Sequence, residues 1–503
     1  MNQAATIAEF SDLSPAVKHF IGRQQKLFID GAWVDAVSGQ TFDSIDPATE
    51  KLICKVAEAG QQDVDLAARA AHKAFHEGPW SSMTPYAREV LLLKWADLVE
   101  AHAAELAELE SLDNGKLLGY AQMVDVPASV QLIRYYAGFA TKVEGKTVTP
   151  SIGIPGFDCH AYTLRQPIGV VGQIIPWNFP LIMAALKLAP ALACGCTSIL
   201  KPAEQTPLSA IRLVELAEEA GFPPGVINLI QGRGEIAGQA LIEHPLVRKI
   251  AFTGSTPVGK HIGKVAMESL KRVSLELGGK SPVIITKDAD LNEAIPGAAN
   301  AIFFNHGQVC VAGSRLFVED AVYDDVIAGL SEIAKGMKLG GGRNPESQMG
   351  PLVSKEQHER VLGFIEKGLS EGGEILCGGS RYGNEGYFVQ PTIFGNCGPG
   401  STLYQEEIFG PVLVANRFNS ADDIAAMAND TVYGLAASVW TRDLRTAHKL
   451  AAQIQAGIVW VNCHHLMDPS LPFGGFKQSG IGREQGEEGI ALYTENKSVM
   501  IKL

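Results

Sequence analysis

Cys310 sits in FFNHGQVCVAGSR, after a predicted helix and before a predicted strand, with Gly307 and Gly313 on either side permitting tight backbone geometry. A thiolate at such a place is a strong nucleophile: it adds to a carbonyl carbon as a thiohemiacetal and leaves a thioester once hydride departs. Releasing that thioester calls for a base. Glu276, in SLELGGKSP, closes a predicted strand just before Gly278-Gly279, where a carboxylate facing a cleft between domains can deprotonate water. The tetrahedral oxyanion needs donors fixed in advance. PWNFP offers the Asn178 amide on a loop pinned by Pro176 and Pro180, to act with the backbone N–H of Cys310. Taken singly these residues are ordinary, since a lone cysteine is commonly a small buried hydrophobe and a lone glutamate a solvated surface group. The apolar neighbours Leu275 and Leu277 weaken the surface reading of Glu276.

Two glycine-rich turns follow predicted strands: QGRGEIAG (Gly232, Gly234, Gly238) and FTGSTPVGK (Gly254, Ser255, Gly259). Either can present helix N-terminal amides to a pyrophosphate, and the first has one residue too many for the G-x-G-x-x-G fingerprint. In ILKPAEQTP, Lys201 and Glu204 stand just past a strand end, where sheets of this kind read ribose hydroxyls. Glu204 would accept from two hydroxyls and repel a 2′-phosphate, favouring NAD over NADP; as a plain helix-start carboxylate it would do neither.

The elements that must position these residues follow from composition and periodicity. A chain of 503 residues is long for one domain at roughly 150 residues each. With 46% hydrophobic and 19% charged residues it has the composition of a folded, soluble protein. The formal charge of -13 is spread along the chain, which gives no reason to expect a nucleic-acid partner. Eight cysteines show no C-x-x-C pair and no metal-ligand spacing, so neither a disulfide framework nor a metal site is expected, and reduced thiols fit the cytoplasm. The amino terminus MNQAATIAEFSDLSP lacks the features of a signal peptide. The apolar run Leu181 to Leu200 approaches membrane-spanning length, but Lys187 interrupts it and Pro190 is expected to break its helix, so no membrane partner is expected.

KLFIDGAWVDA reads as a β-hairpin around Asp-Gly, and Asp63 to about Tyr136 as three or four amphipathic helices. Residues 140–166, with TVTPSIGIPG and YTLRQP, read as an extended excursion suited to a partner subunit. From IGVVGQIIP to KIAFTGS strands alternate with helices, predicting a doubly wound parallel sheet. A second α/β pattern begins after Gly278-Gly279 with SPVIITKD, a helix from about Leu291 to Asn305, and RLFVED. The Gly pair joins two domains without a flexible linker, so the cleft between them should be tight.

Together PWNFP, KPAEQTP, FTGST, LELGGKSP, FFNHGQVC, EEIFGP and LPFGGFKQSGIGRE, in this order over most of the chain, resemble the aldehyde dehydrogenase superfamily. WVNCHHLMDPSLPFGG narrows the resemblance to its bacterial phenylacetaldehyde-oxidising members. The resemblance implies an α/β fold with a Rossmann-like NAD domain (1–143 and 167–278), a second α/β catalytic domain (279–486) and a small β oligomerisation element (144–166 and 487–503), assembled as a homotetramer or homodimer. It implies Cys310 as nucleophile, Glu276 as general base and Asn178 as oxyanion donor. Lys201 and Glu204 would hold the adenosine ribose, Gly234 and Gly238 lie along the adenosine, and the helix after Gly254, with Ser255 and Val258, accompany the pyrophosphate. Ile174, Ile175, Pro176, Trp177, Phe252, Leu277, Gly278 and Gln357 would complete the cofactor pocket. Glu407 and Phe409 would contact the nicotinamide ribose and wall its neighbourhood; from the residues alone EEIFGP is only a loop with a cis-capable or kinked Pro.

The implied substrate tunnel is lined by Phe179, Met183, Leu186, Met467 and Phe473. Leu186 and Met467 stand where relatives often carry large aromatics, which leaves a roomier apolar pocket suited to an arylacetaldehyde. Core packing is the other explanation for these five. Three rival functions remain: a CoA-acylating relative, which typically lacks a carboxylate at the position of Glu276; a catalytically silent homologue; and a cofactor-free cysteine hydrolase, which would pair a histidine such as His306 with Cys310.

Overall fold

The computed structural model describes residues 10–152, 157–420 and 423–503; the first nine residues of the amino-terminal segment and residues 153–156 of the extended excursion lie outside them. β1 (Leu27–Ile29) and β2 (Ala32–Val34) form the expected hairpin, turning at Asp30 and Gly31, both with positive φ. β3 (Thr41–Asp46) and β4 (Lys51–Ala57) form a second hairpin. The helices Gln61–His76, Pro85–Ala101, Ala103–Asn114 and Val126–Ala137 follow where three- and four-residue periodicity predicts them. β5 (Thr147–Val148) and β6 (Cys159–Pro167) then lead into β7 (Val170–Ile174), β8 (Thr197–Lys201), β9 (Ile227–Leu229), β10 (Val247–Thr253) and β11 (Arg272–Glu276).

Parallel β7 to β11 make the middle of an eight-stranded sheet of order β19-β11-β10-β7-β8-β9-β1-β2, in which β19 (Gly480–Ile481) pairs with β11 from far along the chain. From β7 the chain winds outward through β8 and β9, then returns to the other side of β7 for β10 and β11. The winding thus reverses between β7 and β10, and a crevice opens at their carboxyl ends, the usual ligand position in such sheets. Successive residues Ile199 and Leu200 of β8 are fully buried in different apolar clusters, so helices cover both faces.

The second sheet comprises β12 (Pro282–Ile285), β13 (Arg315–Glu319), β14 (Glu374–Cys377), β15 (Thr392–Gly395), β16 (Val412–Phe418), β17 (Ala436–Trp440) and β18 (Ile458–Val461), ordered β14-β15-β16-β13-β12-β17-β18, parallel except for the edge strand β14. Because β11 runs through Leu277–Ser281 straight into β12, the carboxyl end of the first sheet abuts the amino end of the second. β20 (Thr494–Lys502) pairs antiparallel with β6 along its whole length, and β5 completes this small third sheet.

One expectation is corrected. The helix Pro180–Cys194 runs through Pro190 and stops only at Gly195, at φ 91°. A proline inside a helix costs about 3 kcal/mol. This helix buries Leu181, Leu188 and Leu192 completely, and each such side chain contributes about 1.5–3 kcal/mol. Among the described residues, no helix is long and apolar enough to cross a membrane.

The helix before Cys310 ends at Phe303, two residues sooner than expected, and Asn305, His306 and Gly307 then adopt left-handed backbone in succession. At Gly307 (φ 71°) a Cβ would also overlap the carbonyl of Gly410. Gly307→Ala is therefore expected to cost on the order of 2 kcal/mol, read as a lower denaturant midpoint; an unchanged midpoint would show that the loop relaxes freely.

Candidate active site

An apolar cavity of about 440 Å³ lies where the two sheets meet. Cys310 and Glu276 line it, together with all five of the residues expected to contact substrate: Phe179, Met183, Leu186, Met467 and Phe473. Phe179, Met183 and Leu186 come from the loop after β7 and the first turns of the helix that follows it. Glu276 ends β11, and Met467 and Phe473 come from the segment after β18. The mouth is wider than the sequence suggests: Met123 and Val124 form part of its rim, on a single π turn, Ala121–Asp125, between helices.

Burial is the chief electrostatic force here. It pushes the Cys310 thiol up to about 12, with the Glu407 and Glu276 carboxylates adding to the shift, so the resting sulfur is protonated at neutral pH. Glu276 is 3% exposed and neither of its oxygens has a hydrogen-bond partner among the described residues. Burial and the Glu484 carboxylate hold its pKa well above the usual range, against the opposing charges of Lys187 and Arg483. A carboxylate so placed is a stronger base than one in water. Asn178 donates from Nδ2 to the Gln308 carbonyl at 3.0 Å and accepts at its own carbonyl from Asn305 Nδ2 at 3.1 Å, which leaves one amide hydrogen for a ligand. His306 contacts Gln308 at 3.2 Å. Burial and then the Lys116 charge lower its pKa to about 3, so it is a neutral loop residue bonded away from Cys310.

The QGRGEIAG turn meets Lys201 and Glu204 past the end of β8, next to β7, while the FTGST turn follows β10 on the other side of β7. The Gly234 N–H donates to Glu204 Oε1 at 2.6 Å, Lys201 Nζ stands 3.7 Å from the same oxygen, and Gly238 packs beside the Lys201 stem. Ile174, Ile175, Pro176 and Trp177 continue from the end of β7, and the Ile175 N–H bonds the Lys201 carbonyl at 3.1 Å. Phe252 and Gly254 end β10. Ser255 precedes the helix Thr256–Glu268 without a side-chain cap, so that helix's first N–H groups remain available to an anion. Val258 on its first turn is half exposed. Gly254 N donates to the Glu276 carbonyl at 3.0 Å, linking this turn to the end of β11.

On the opposite side, Glu407 Oε1 accepts from Gly279 N at 3.0 Å, and burial raises its pKa to about 7. Gly278 and Leu277 lie between Glu407 and the helix Thr256–Glu268: a Cβ on Gly278 would overlap the Glu407 carboxylate, and Leu277 fills the space beside Gly259. Gln357 Nε2 donates to the Phe409 carbonyl at 2.7 Å, and the Phe409 ring meets Trp177 edge-on at 5.1 Å. The expected kink of EEIFGP is real, but it resides in Phe409 (φ 61°); among the described residues no peptide is cis.

Residues 33–499 match the family model described as the aldehyde dehydrogenase family. The chain belongs to the aldehyde dehydrogenase family. Phenylacetaldehyde dehydrogenase of Pseudomonas fluorescens is 51% identical over 479 residues, covering 95% of each chain. Aldehyde dehydrogenase 1A1 of Mesocricetus auratus is 50% identical over 480 residues, again 95% of each. The solved NAD+ complex of aldehyde dehydrogenase from Bacillus cereus superposes with a TM-score of 0.96 at 49% identity, covering 98% of this chain and 99% of that one.

Some of this family member's pocket escapes sequence reasoning. Lys187 reads only as a charge interrupting an apolar run, yet it is buried and ion-paired with Glu484, whose charge bears on Glu276. Its single charge in an otherwise apolar helix was the available signal, and its partner is 297 residues away. Phe304 and His465, packed at 5.1 Å, also line the cavity; nothing in their spacing marks them.

The raised thiol pKa makes a pH prediction. A thiol pushed up is mostly neutral below that value, so iodoacetamide labelling of Cys310, followed by peptide mass spectrometry, should keep rising through about pH 10 without levelling. A plateau by pH 8 would mean that a thiolate already exists in the free protein.

Proposed function

We propose that this chain oxidises an apolar aldehyde, with phenylacetaldehyde or a similar aryl aldehyde as the best candidate, to the carboxylic acid with NAD. The observation that carries the reading is that Cys310 and Glu276 share one apolar cavity, which Thr253 at the end of β10 also lines. NAD, when bound, supplies the hydride acceptor. The residues around the crevice suit it. The uncapped helix start after Ser255 offers N–H groups to a pyrophosphate. Lys201 and Glu204 offer a donor and an acceptor to ribose hydroxyls, and Glu407 offers a second carboxylate near the reacting end.

The Cys310 thiol gives its proton to solvent, and its sulfur then bonds the carbonyl carbon as the C=O pair moves onto oxygen. The free amide hydrogen of Asn178, with the Cys310 backbone N–H, holds the oxyanion. Once that adduct has lost its hydride and become a thioester, ionised Glu276 takes a proton from water, whose oxygen bonds the acyl carbon and displaces the Cys310 sulfur, releasing the acid. Its presence in the cavity favours water over a CoA thiol as acceptor. Phe179, Met183, Leu186, Met467 and Phe473 favour an uncharged, bulky aldehyde, because a charged one would be desolvated without a partner. Substrate preference is the finer part of the proposal, since comparably similar relatives include both the phenylacetaldehyde dehydrogenase and the 1A1 enzyme.

The proposal extends to organisation. Residues 1–143 and 167–278 form the NAD domain, whose sheet β19 completes from the catalytic domain, 279–486. The third sheet, with Val148, Leu164, Met500 and Ile501 exposed, joins subunits into a homotetramer or homodimer in the cytoplasm.

Two experiments test the chemistry. Cys310→Ala should abolish NADH formation. Glu276→Gln should keep a first burst of up to one NADH per site while steady turnover collapses by on the order of a hundredfold, and full turnover would refute the base assignment. For the cofactor, Glu204→Ala should raise kcat/KM with NADP relative to NAD; equal use of both cofactors by the unsubstituted chain would count against the ribose argument. A panel of phenylacetaldehyde, benzaldehyde, a short aliphatic aldehyde and betaine aldehyde reads the substrate class directly.

A further inference from the structure

The segment LDNGK, residues 112–116, contributes nothing to the cavity wall, yet it is fully buried. The helix Ala103–Asn114 ends on Gly115 in left-handed backbone, and the chain turns so that Lys116 points inward, 1% exposed. Its Nζ donates to Glu110 Oε1 at 3.2 Å and to Asp125 Oδ1 at 2.5 Å, and lies 4.4 Å from the centroid of the Phe179 ring.

Together with Glu110 just before it, this stretch grips the oxyanion loop and the helix start after it at three places. Asn114 Nδ2 donates to the Trp177 carbonyl at 2.7 Å, the Lys116 ammonium caps the Phe179 face, and Glu110 Oε1 accepts from Leu181 N at 3.5 Å. Asp113 accepts from Leu208 N at 2.9 Å and Glu110 from the Ser209 hydroxyl, anchoring the turn to the next helix as well. Residues on both sides of Asn178 are thus tied to one short turn. Asp125, the other partner of Lys116, ends the π turn whose Met123 and Val124 form the rim of the cavity. One ammonium therefore connects the loop that carries Asn178 to the far wall of the substrate pocket.

We propose that Lys116 is a positioning residue: through Phe179 and Asp125 it sets the distance between the Asn178 loop and the opposite wall of the cavity, and so the placement of the aldehyde carbonyl. This rests on the reading of Asn178 as the oxyanion donor. A buried ion pair is an expensive way to stabilise a core, and an apolar side chain of similar size would often serve as well. What the charge adds is direction. Two carboxylates and an aromatic face define a point in space, where a methionine would only fill volume. Misplacing a reacting group by about 1 Å costs on the order of a hundredfold in rate.

The test counts active sites, because a purely structural lysine would change how many molecules fold and leave each folded one unaltered. Lys116→Met and Lys116→Arg are compared with the unsubstituted protein by kcat per NAD-binding site, the sites being counted by fluorescence titration with NADH. Lys116→Met is expected to lose about tenfold to a hundredfold in kcat per site, with the Kd for NADH changed by less than about twofold. Lys116→Arg, which keeps the cation, should recover most of the loss. Unchanged kcat per site in Lys116→Met overturns the proposal. Should that variant not fold, Asp125→Asn removes the tie to the rim while leaving the cation in place, and unchanged kcat per site there overturns it equally. An unsubstituted chain that forms no NADH from any aldehyde instead sinks the oxidation reading itself, so the two failures are distinguishable.

Discussion

The site depends on a place where two sheets meet without side chains. β11 of the first sheet passes through Gly278 and Gly279 into β12 of the second. A Cβ at Gly278 would overlap the Glu407 carboxylate, and one at Gly279 the carbonyl of Cys310. With hydrogen in those positions, Gly279 N donates to Glu407 at 3.0 Å and the Cys310 loop packs directly on the backbone that leads out of Glu276. Glu276, Cys310 and Glu407, from three distant stretches of chain, therefore share one neighbourhood. A side chain at Gly279 would meet the Cys310 backbone carbonyl and force the two stretches apart.

That closeness has an electrostatic consequence. The cavity is apolar and the groups around it are buried, so burial works against the charged form of each: Cys310 is pushed up to about 12, Glu407 to about 7, and Glu276 well above the ordinary carboxylate range. Charge is expensive in such a place, and the protonation of these groups responds strongly to what enters: an incoming cationic or polar group changes the local field with little solvent to screen it. The Lys187–Glu484 pair, one partner in the helix after Asn178 and the other near the end of the chain, supplies fixed charge behind Glu276.

Geometry and strain are concentrated in the same few loops. Asn305, His306 and Phe409 have left-handed backbone without being glycine, and each lies within a few residues of Cys310 or Glu407. Such conformations cost of order 1–3 kcal/mol each and persist only where their surroundings impose them. Here the surroundings are hydrogen bonds: Asn305 to the Asn178 carbonyl, His306 to Gln308, and Gln357 to the Phe409 carbonyl.

Much of this was legible in the chain because it is local. Strand and helix periodicity, the Asp-Gly hairpin, the switch from the first α/β pattern to the second at Gly278-Gly279, and the motifs around Cys310, Glu276 and Asn178 depend on neighbours in sequence, where spacing and side-chain type carry the signal. What the chain could not show depends on distant partners. Pro190 stays within a helix because the packing around Leu188 and Leu192 outweighs its lost hydrogen bond. Lys187 is tolerated because Glu484 reaches it, and Lys116 because Glu110, Asp125 and the Phe179 ring surround it. The kink of EEIFGP falls on Phe409 because Gln357 and Trp177 hold that residue from elsewhere in the fold. Sequence by itself determined which groups could do the chemistry. Tertiary structure decided how far apart they stand and how strongly they hold their protons, because separation and desolvation arise only when remote segments exclude water from a common space.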